Sequence, residues 1–257
     1  MEGFGCSPIK RLRELGSSKL VYPLVSINTF KPKNLALLIS KFSTTTDSDL
    51  NKSLPSLPSN LLNSILIGLI LSDAGLYKSS PTSNTRLEMS FGEAYKEFAF
   101  FIGEILNPYM SNPIKKVEIK SKEKIYTNYR LKTKSLPLFN TYFNMFYKLD
   151  TISSKYIKIV PHNIDELMDP IVLAFLIMGD GNFDKGRNRV RIYTNSFSKQ
   201  EVENLSLAIN FKLGIYVGVL YDRKDQWILT IGAKNLELLR NTVSVHFHSS
   251  MLYRIGL

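Results

Sequence analysis

The chain has little with which to build cysteine or histidine chemistry. Its 257 residues include one cysteine, Cys6, and three histidines. A single cysteine excludes an intramolecular disulfide and any cysteine-based zinc site, and a reducing compartment suits that usage. His162, His246 and His248 show neither zinc spacing with a cysteine nor a His-Asn-His nuclease pattern, so they read as packing or surface residues. Long hydrophobic runs are also missing. The longest, Ile171 to Met178, is far below the roughly 20 residues of a membrane span, so no membrane partner is expected. No secretory signal is legible. Residues 1–20 are somewhat basic, but Glu2 and Glu14 interrupt them, and support for a transit peptide is weak. Acidic residues are scarce: 22 Asp and Glu face 33 Lys and Arg, for a net charge of +11. That balance favours a polyanionic partner, with nucleic acid first and an anionic membrane surface second. Net charge alone does not separate these from a role in solubility.

A hydrophobic content of 44% supplies a core for one domain or two small ones. Residues 1–58 read as an N-terminal arm or linker. Ser43 to Ser59 is rich in Ser, Thr, Pro and Asp and cannot bury much surface. Leu35 to Phe42 suits a short helix, and no chemistry is assigned to the arm. From there the chain repeats itself once, with expected halves at 59–150 and 151–257. Leu61 to Leu76 and Pro170 to Phe183 are apolar nearly all round, as buried helices are. Asp169 suits an N-cap and Pro170 the first helical position, while Ser59 or Asn60 could cap the earlier helix. Each helix ends in an Asp followed by a glycine stop signal, Gly75 or Gly181. Hairpins are expected at 76–91, 115–135, 183–197 and 215–232. Helices are expected at 92–106, 136–147, 198–212 and 233–243. The fold class is α+β, with the order αββαββα occurring twice.

The strands carry a period of two. Arg189, Arg191, Tyr193 and Asn195 share one face, opposite Val190, Ile192 and Thr194. Asn128, Arg130, Lys132 and Lys134 lie opposite Tyr129, Leu131 and Thr133. Residues 115–134 hold eight Lys or Arg against two Glu. A solvated outer face explains any one such strand, but basic ribbons in both halves suit the DNA major groove, where such side chains read base edges. The candidate DNA contacts are completed by Lys78, Arg86, Lys120 and Lys122 in the first half, and by Arg187, Arg223 and Lys224 in the second. Trp227 reads as core rather than a base-stacking platform.

The buried helices contain LIGLILSDA, Leu66 to Ala74, and LAFLIMGDG, Leu173 to Gly181. Both resemble the nine-residue LAGLIDADG motif of a family of homing endonucleases and intron maturases. Aligned without gaps, the eighth-position acid falls on Asp73 and Asp180. The third-position glycine is Gly68 in one copy but Phe175 in the other. The ninth is Ala74, with Gly75 following. Two copies about 107 residues apart, each opening the same element order, make the match specific. The stretches Tyr129 to Asp180 and Tyr193 to Leu205 resemble parts of single-chain members. The likeness covers residues 59–257 and leaves the arm unmatched.

The resemblance implies two helices packed side by side through small residues, Gly68, Ser72, Ala174 and Gly179. Their ends would place Asp73 and Asp180, with neighbouring Ala74 and Gly181, at a Mg²⁺ site beneath a saddle of two sheets, with Mn²⁺ as a substitute. A basic residue would stand near each scissile phosphate: Lys158, three residues before Pro161, and Arg254 near the C-terminus. An Arg stabilises phosphate charge but accepts protons poorly, so both are expected to act electrostatically. Asn195 is a candidate for positioning a metal-bound water. The implied activity is a double-strand break in a long, asymmetric DNA site, made by a monomer across the minor groove and leaving short 3′ overhangs. The alternatives are a maturase assisting a group I intron RNA and a catalytically inactive DNA-binding regulator. A mitochondrial, intron-encoded origin is implied by the family. Gly214-Ile215-Tyr216 matches half of a GIY-YIG nuclease motif, but no second half follows.

Overall fold

The second apolar segment begins where its capping chemistry requires. Asp169 accepts hydrogen bonds from the amides of Ile171 and Val172, both at 2.8 Å, with Pro170 in the first turn. In the computed structural model, which describes residues 59–121, 124–223 and 226–257, this segment is one of two equivalent helices. The first half runs α1 (Ser59–Leu71), β1 (Gly75–Tyr77), β2 (Arg86–Gly92), α2 (Lys96–Leu106), β3 (Lys115–Ser121), β4 (Lys124–Lys132) and α3 (Pro137–Phe146). A hairpin, β5 (Tyr147–Asp150) and β6 (Lys155–Lys158), and a single turn, α4 (Ile164–Leu167), lead on to the second half. That half runs α5 (Pro170–Asp180), β7 (Gly181–Asp184), β8 (Arg189–Ile192), α6 (Lys199–Leu213), β9 (Gly218–Arg223), β10 (Gln226–Ile231) and α7 (Ala233–Val243).

The repeated order αββαββα is therefore the observed one. Each half carries an antiparallel four-stranded sheet of the same topology, β1-β2-β4-β3 and β7-β8-β10-β9. Alternation holds along the strands. Tyr129, Leu131 and Thr133 are buried while Arg130, Lys132 and Lys134 are exposed; Val190, Ile192 and Thr194 are buried while Tyr193 is exposed. Leu131 and Val190 thus turn toward the helices and the basic residues away from them.

The core is centred on α1 and α5. Every residue of α5 from Val172 to Gly179 is buried, as are Ile65 to Leu71 of α1 with Gly68 between them. A Cβ on Gly68 would lie 2.6 Å from the Phe175 Cβ and 2.7 Å from the Val172 carbonyl oxygen. The departure from glycine at Phe175 is explained by this contact. One helix supplies the bulk at the crossing and the other supplies the gap. Gly179 is similarly close, with a built Cβ 2.4 Å from the Ser72 Oγ. Ala174 is fully buried in the same helix. The halves also share Phe101 of α2, whose ring stacks on Phe175 at 6.4 Å and meets His248 at 4.8 Å.

α5 stops at its C-cap Gly181, as the glycine stop signal implies, but the residue is extended, with φ −80° and ψ 155°, and not left-handed. Its smallness is required instead by the Ile177 carbonyl oxygen, 2.5 Å from a built Cβ. Gly75 likewise is not among the positive-φ residues, which are Ser154, Asn188, Gly214 and Gly256 among those described. The hairpin β5–β6 was not anticipated, and its turn straddles the expected boundary at residue 150. The arm at 1–58, including Cys6 and the helix expected at 35–42, lies outside the described residues.

Candidate active site

Both central helices end in a carboxylate. The small residues at Gly68, Ser72 and Gly179 let α1 and α5 approach, and this brings Asp73 beside Asp180: the Asp73 Oδ2 lies 3.7 Å from a Cβ built on Gly179, and the two carboxyls interact electrostatically. Asp73 is exposed and Asp180 only partly so. Burial pushes the Asp180 carboxyl up to about 7, the charge of Asp73 adds to the rise, and Lys158 and Arg254 oppose it. Two carboxylates held this close, one of them largely desolvated, favour a cation between them. Among the described residues no cluster of three or more His, Cys, Asp or Glu exists to complete a protein cage. Two hard carboxylates fit a Mg²⁺-type ion that takes its remaining ligands from water and a phosphate. The positions expected beside that site, Ala74 and Gly181, have their carbonyls already engaged.

Those carbonyls are held by the two predicted basic residues. The Lys158 ammonium donates to the carbonyl oxygens of Ile70, Ser72 and Ala74, each at 2.9 Å. It thereby satisfies the open C-terminus of α1. Burial holds its pKa below the usual lysine range, against the pull of Asp180 and Asp73. On the other half the Arg254 guanidinium donates to the Gly181 carbonyl. Ala74 and Gly181 occupy the same motif position, so the two basic residues are equivalent. Arg254 also lies 5.2 Å over the ring of Tyr95, a first-half residue, and 5.7 Å over Tyr253. Its segment, Ser249–Ile255, is tied down by Arg240, which donates to the Ile255 and Gly256 carbonyls. Both cations thus stand beside the acids, but they are anchored by backbone rather than free.

Above the acids, a cavity of about 820 Å³ reaches from Asp73 and Lys158 to Glu88, Lys115, Arg130 and Lys132 on the first sheet. Two acids missed by the sequence reading organise the basic faces. Glu88 binds Arg86 at 2.5 Å and Lys132 at 3.5 Å. Asp184 binds Arg191 at 2.8 Å and Arg189 at 3.1 Å, with Arg187 at 4.0 Å. The ion pairs hold the Glu88 and Asp184 carboxyls below the usual range despite desolvation. The strand registers give the pairing signal, since Glu88 faces Lys132 and Asp184 faces Arg189. Glu88 opposes Gly75, while its second-half equivalent, Arg191, opposes Asn182. This register position is thus acidic in one half and basic in the other, each side chain being paired with opposite charge, Glu88 with Arg86 and Lys132, and Arg191 with Asp184.

The other predicted contacts divide. Arg130, Lys132, Lys134, Arg187, Tyr193 and Arg223 are exposed, and Asn128 is half-buried. Lys120 pairs with Ile125, one residue out of phase with Arg130 and Lys132, so it lies on the opposite face of its ribbon. Lys78 is drawn 4.8 Å over the Phe143 ring instead of joining the sheet face. The Asn195 amide donates to Gln226 at 2.8 Å and Asp222 at 3.4 Å, which commits it to β9–β10 rather than to the acids. Lys122 and Lys224 lie outside the described residues. Trp227 is partly buried with Lys199 4.9 Å over its ring, and Gly214 is the left-handed cap of α6, a structural reason for that glycine. No described helix is long and apolar enough to cross a membrane.

Known proteins resemble this chain in family and in fold. The model of the LAGLIDADG DNA endonuclease family matches residues 63–239. The cytochrome b mRNA maturase bI2 of Saccharomyces cerevisiae is 24% identical over 252 residues, covering 95% of this chain and 58% of the yeast protein. This chain therefore spans less than two thirds of that relative. An alignment of that extent enters residues 1–58, so the arm is not unmatched. The protein of the same name from Debaryomyces hansenii is 24% identical over 197 residues, covering 75% of this chain and 72% of its own length. The solved structure of the homing endonuclease I-WcaI bound to its DNA recognition sequence aligns with a TM-score of 0.69 at 21% identity, over 84% of this chain and 97% of that one.

Proposed function

The chain belongs to the LAGLIDADG DNA endonuclease family, and on that premise we propose that it is a site-specific endonuclease. It cuts both strands of a long, asymmetric duplex site by hydrolysis. The observation that carries this reading is the pairing of Asp73 with Asp180 at the joined helix ends, flanked by Lys158 and Arg254. On this reading the two basic sheets form the saddle that receives the duplex, and the acting species is a monomer with one carboxylate for each strand.

Asp73 and Asp180 would hold a divalent cation, Mg²⁺ with Mn²⁺ as substitute, which when bound supplies an activated water and charge neutralisation at the phosphate. The chain's own part is positional and electrostatic. Lys158 and Arg254 add positive charge beside the scissile phosphates. Water attack at phosphorus breaks the bond to the 3′ oxygen, leaving a 5′ phosphate, a 3′ hydroxyl and short 3′ overhangs. The exposed Arg130, Lys132, Lys134, Arg187 and Arg223 reach phosphates and base edges. The unlike side chains Glu88 and Arg191 at one register position suit unlike half-sites.

A second reading rests on the two relatives named as cytochrome b mRNA maturases: a protein that assists splicing of a group I intron RNA on the same scaffold. Those names also support a mitochondrial location. The test is cleavage of a randomised duplex library in Mg²⁺, with the Asp73→Asn/Asp180→Asn double variant as control. Selective cutting by the wild type alone is expected. Absence of cutting, with tight binding of a structured intron RNA that survives the double substitution, would transfer the assignment to the maturase.

A further inference from the structure

The hairpin β5–β6 does nothing for the connection between halves. The Ile159 amide donates to the Phe146 carbonyl at 2.8 Å, so the chain returns to the point from which it left. Residues 147–158 add no reach. The hairpin is nevertheless firmly rooted. Tyr147 accepts a hydrogen bond from the Leu76 amide at 3.1 Å, its ring stacks on Phe143 at 5.0 Å, and Tyr156 meets the same ring edge-on at 5.0 Å.

Beyond the root it forms a separate two-stranded sheet, an arrangement of marginal stability in water. It exposes apolar groups freely: Ile152 at the tip is 94% exposed, and Leu149, Tyr156 and Ile157 are also largely open. Its one acid is spent on the turn, where Asp150 accepts from the amide and hydroxyl of Ser153. Asp150 also faces Lys155 across the strands, and Lys148 and Lys155 outnumber it, so the outward charge is positive. Lys148, Ile157 and Lys158 form one wall of a groove of about 620 Å³; Ser196, Ser198 and Gln200 of the second half form the other. Glu201 also lines it, but its oxygens accept from the Val160 and Ser198 amides. Lys158 borders both this groove and the cavity containing Asp73.

We propose that the β5–β6 hairpin and its groove grip the sugar–phosphate backbone of the duplex beside the cut, outside the surface covered by the two sheets. This rests on the endonuclease reading. Lys158 and the Ser198 hydroxyl are engaged by carbonyls and by Glu201, so Lys148, Lys155, the Ser196 hydroxyl and the second amide hydrogen of Gln200 are the groups that suit phosphates, and exposed aliphatic groups suit sugar edges and the minor-groove floor. Lys158 lines both the groove and the Asp73 cavity, which sets the groove beside the cut and makes its occupant the same duplex.

The probe is the duplex recovered from library cleavage, with binding measured in EDTA across a salt series. Each phosphate contact contributes about 0.9 to the slope of log affinity against log salt, so Lys148→Gln/Lys155→Gln should lower it by about 1.8. Lys212→Gln/Lys234→Gln removes equal charge from helices α6 and α7 and should leave the slope unchanged. Ile152→Asp, at a tip with no packing to lose, should weaken binding about tenfold without changing the melting temperature. A wild type that binds and cuts, with an unaltered slope in the hairpin double variant, overturns this proposal and leaves the endonuclease reading standing. Loss of intron RNA binding in that variant, with DNA binding intact, overturns it in favour of RNA. A wild type that neither binds nor cuts any duplex overturns both.

Discussion

Replacing Gly68 with alanine sets two well-understood effects against each other. Within a helix, glycine to alanine normally gains about 1 kcal/mol through backbone entropy. At this crossing the added Cβ would stand 2.6 Å from the Phe175 Cβ and 2.7 Å from the Val172 carbonyl oxygen. Carbon contacts relax near 3.5 Å or more, so α1 and α5 must separate by about 1 Å. Neither neighbour can rotate away, because one is backbone and the other is fixed to it. Overpacking of this kind costs roughly 1–3 kcal/mol, which exceeds or cancels the helical gain. The expected net is a destabilisation of up to about 2 kcal/mol, a fall in melting temperature of roughly 4–8 °C for a domain of this size. A displacement of about 1 Å between catalytic groups can cost on the order of 100-fold in rate. Gly92→Ala is the control, since nothing lies within 4 Å of its built Cβ. Thermal unfolding and single-turnover cleavage read the two effects. A Gly68→Ala protein that melts above wild type and cuts at the wild-type rate would refute the argument that this seam sets the spacing of Asp73 and Asp180.

The raised pKa of Asp180 has a stability consequence in metal-free protein. Between the unfolded value of about 4 and the folded value of about 7 the native state binds the extra proton, so stability should fall as pH rises through that window. Thermal melts in EDTA should show the decline in wild type and its loss in Asp180→Asn; a flat wild-type profile would contradict the assignment. Lys158→Met removes the donor to three carbonyls at the end of α1 and should destabilise by about 1–3 kcal/mol. A lysine acting on substrate alone would leave the melting temperature unmoved. Asp169→Ala deletes the cap of α5 and the link to the Ser64 hydroxyl of α1. The expected loss is about 1–2 kcal/mol by denaturant titration, and an unchanged midpoint would show that the cap is redundant.

The duplicated element order and the two acids were legible from residues alone. Helix and strand periods are local, and a carboxylate ending a fully apolar helix stands out because nothing nearby compensates it. The alternation at Arg189 to Asn195 was legible for the same reason. The strand β6, Lys155–Lys158, leaves a weaker signal, a short aromatic and β-branched run that continues into Val160 without a turn residue to mark its end.

Other features depend on contacts between segments far apart in sequence. Whether a lysine in a basic ribbon faces the sheet surface depends on register, and one residue of phase removed Lys120 from it. Lys78 was claimed by the Phe143 ring of α3, 65 positions on. The roles of Glu88 and Asp184 appeared only once their strands were paired. The chain by itself thus determined its repeat, its buried helices and the carboxylate at each end, because those follow from spacing and side-chain polarity. The tertiary structure decided which cations are free, which are bound to acids, and that Lys158 and Arg254 hold equivalent carbonyls. Charges act over distances set by folding, and sequence position does not encode those distances.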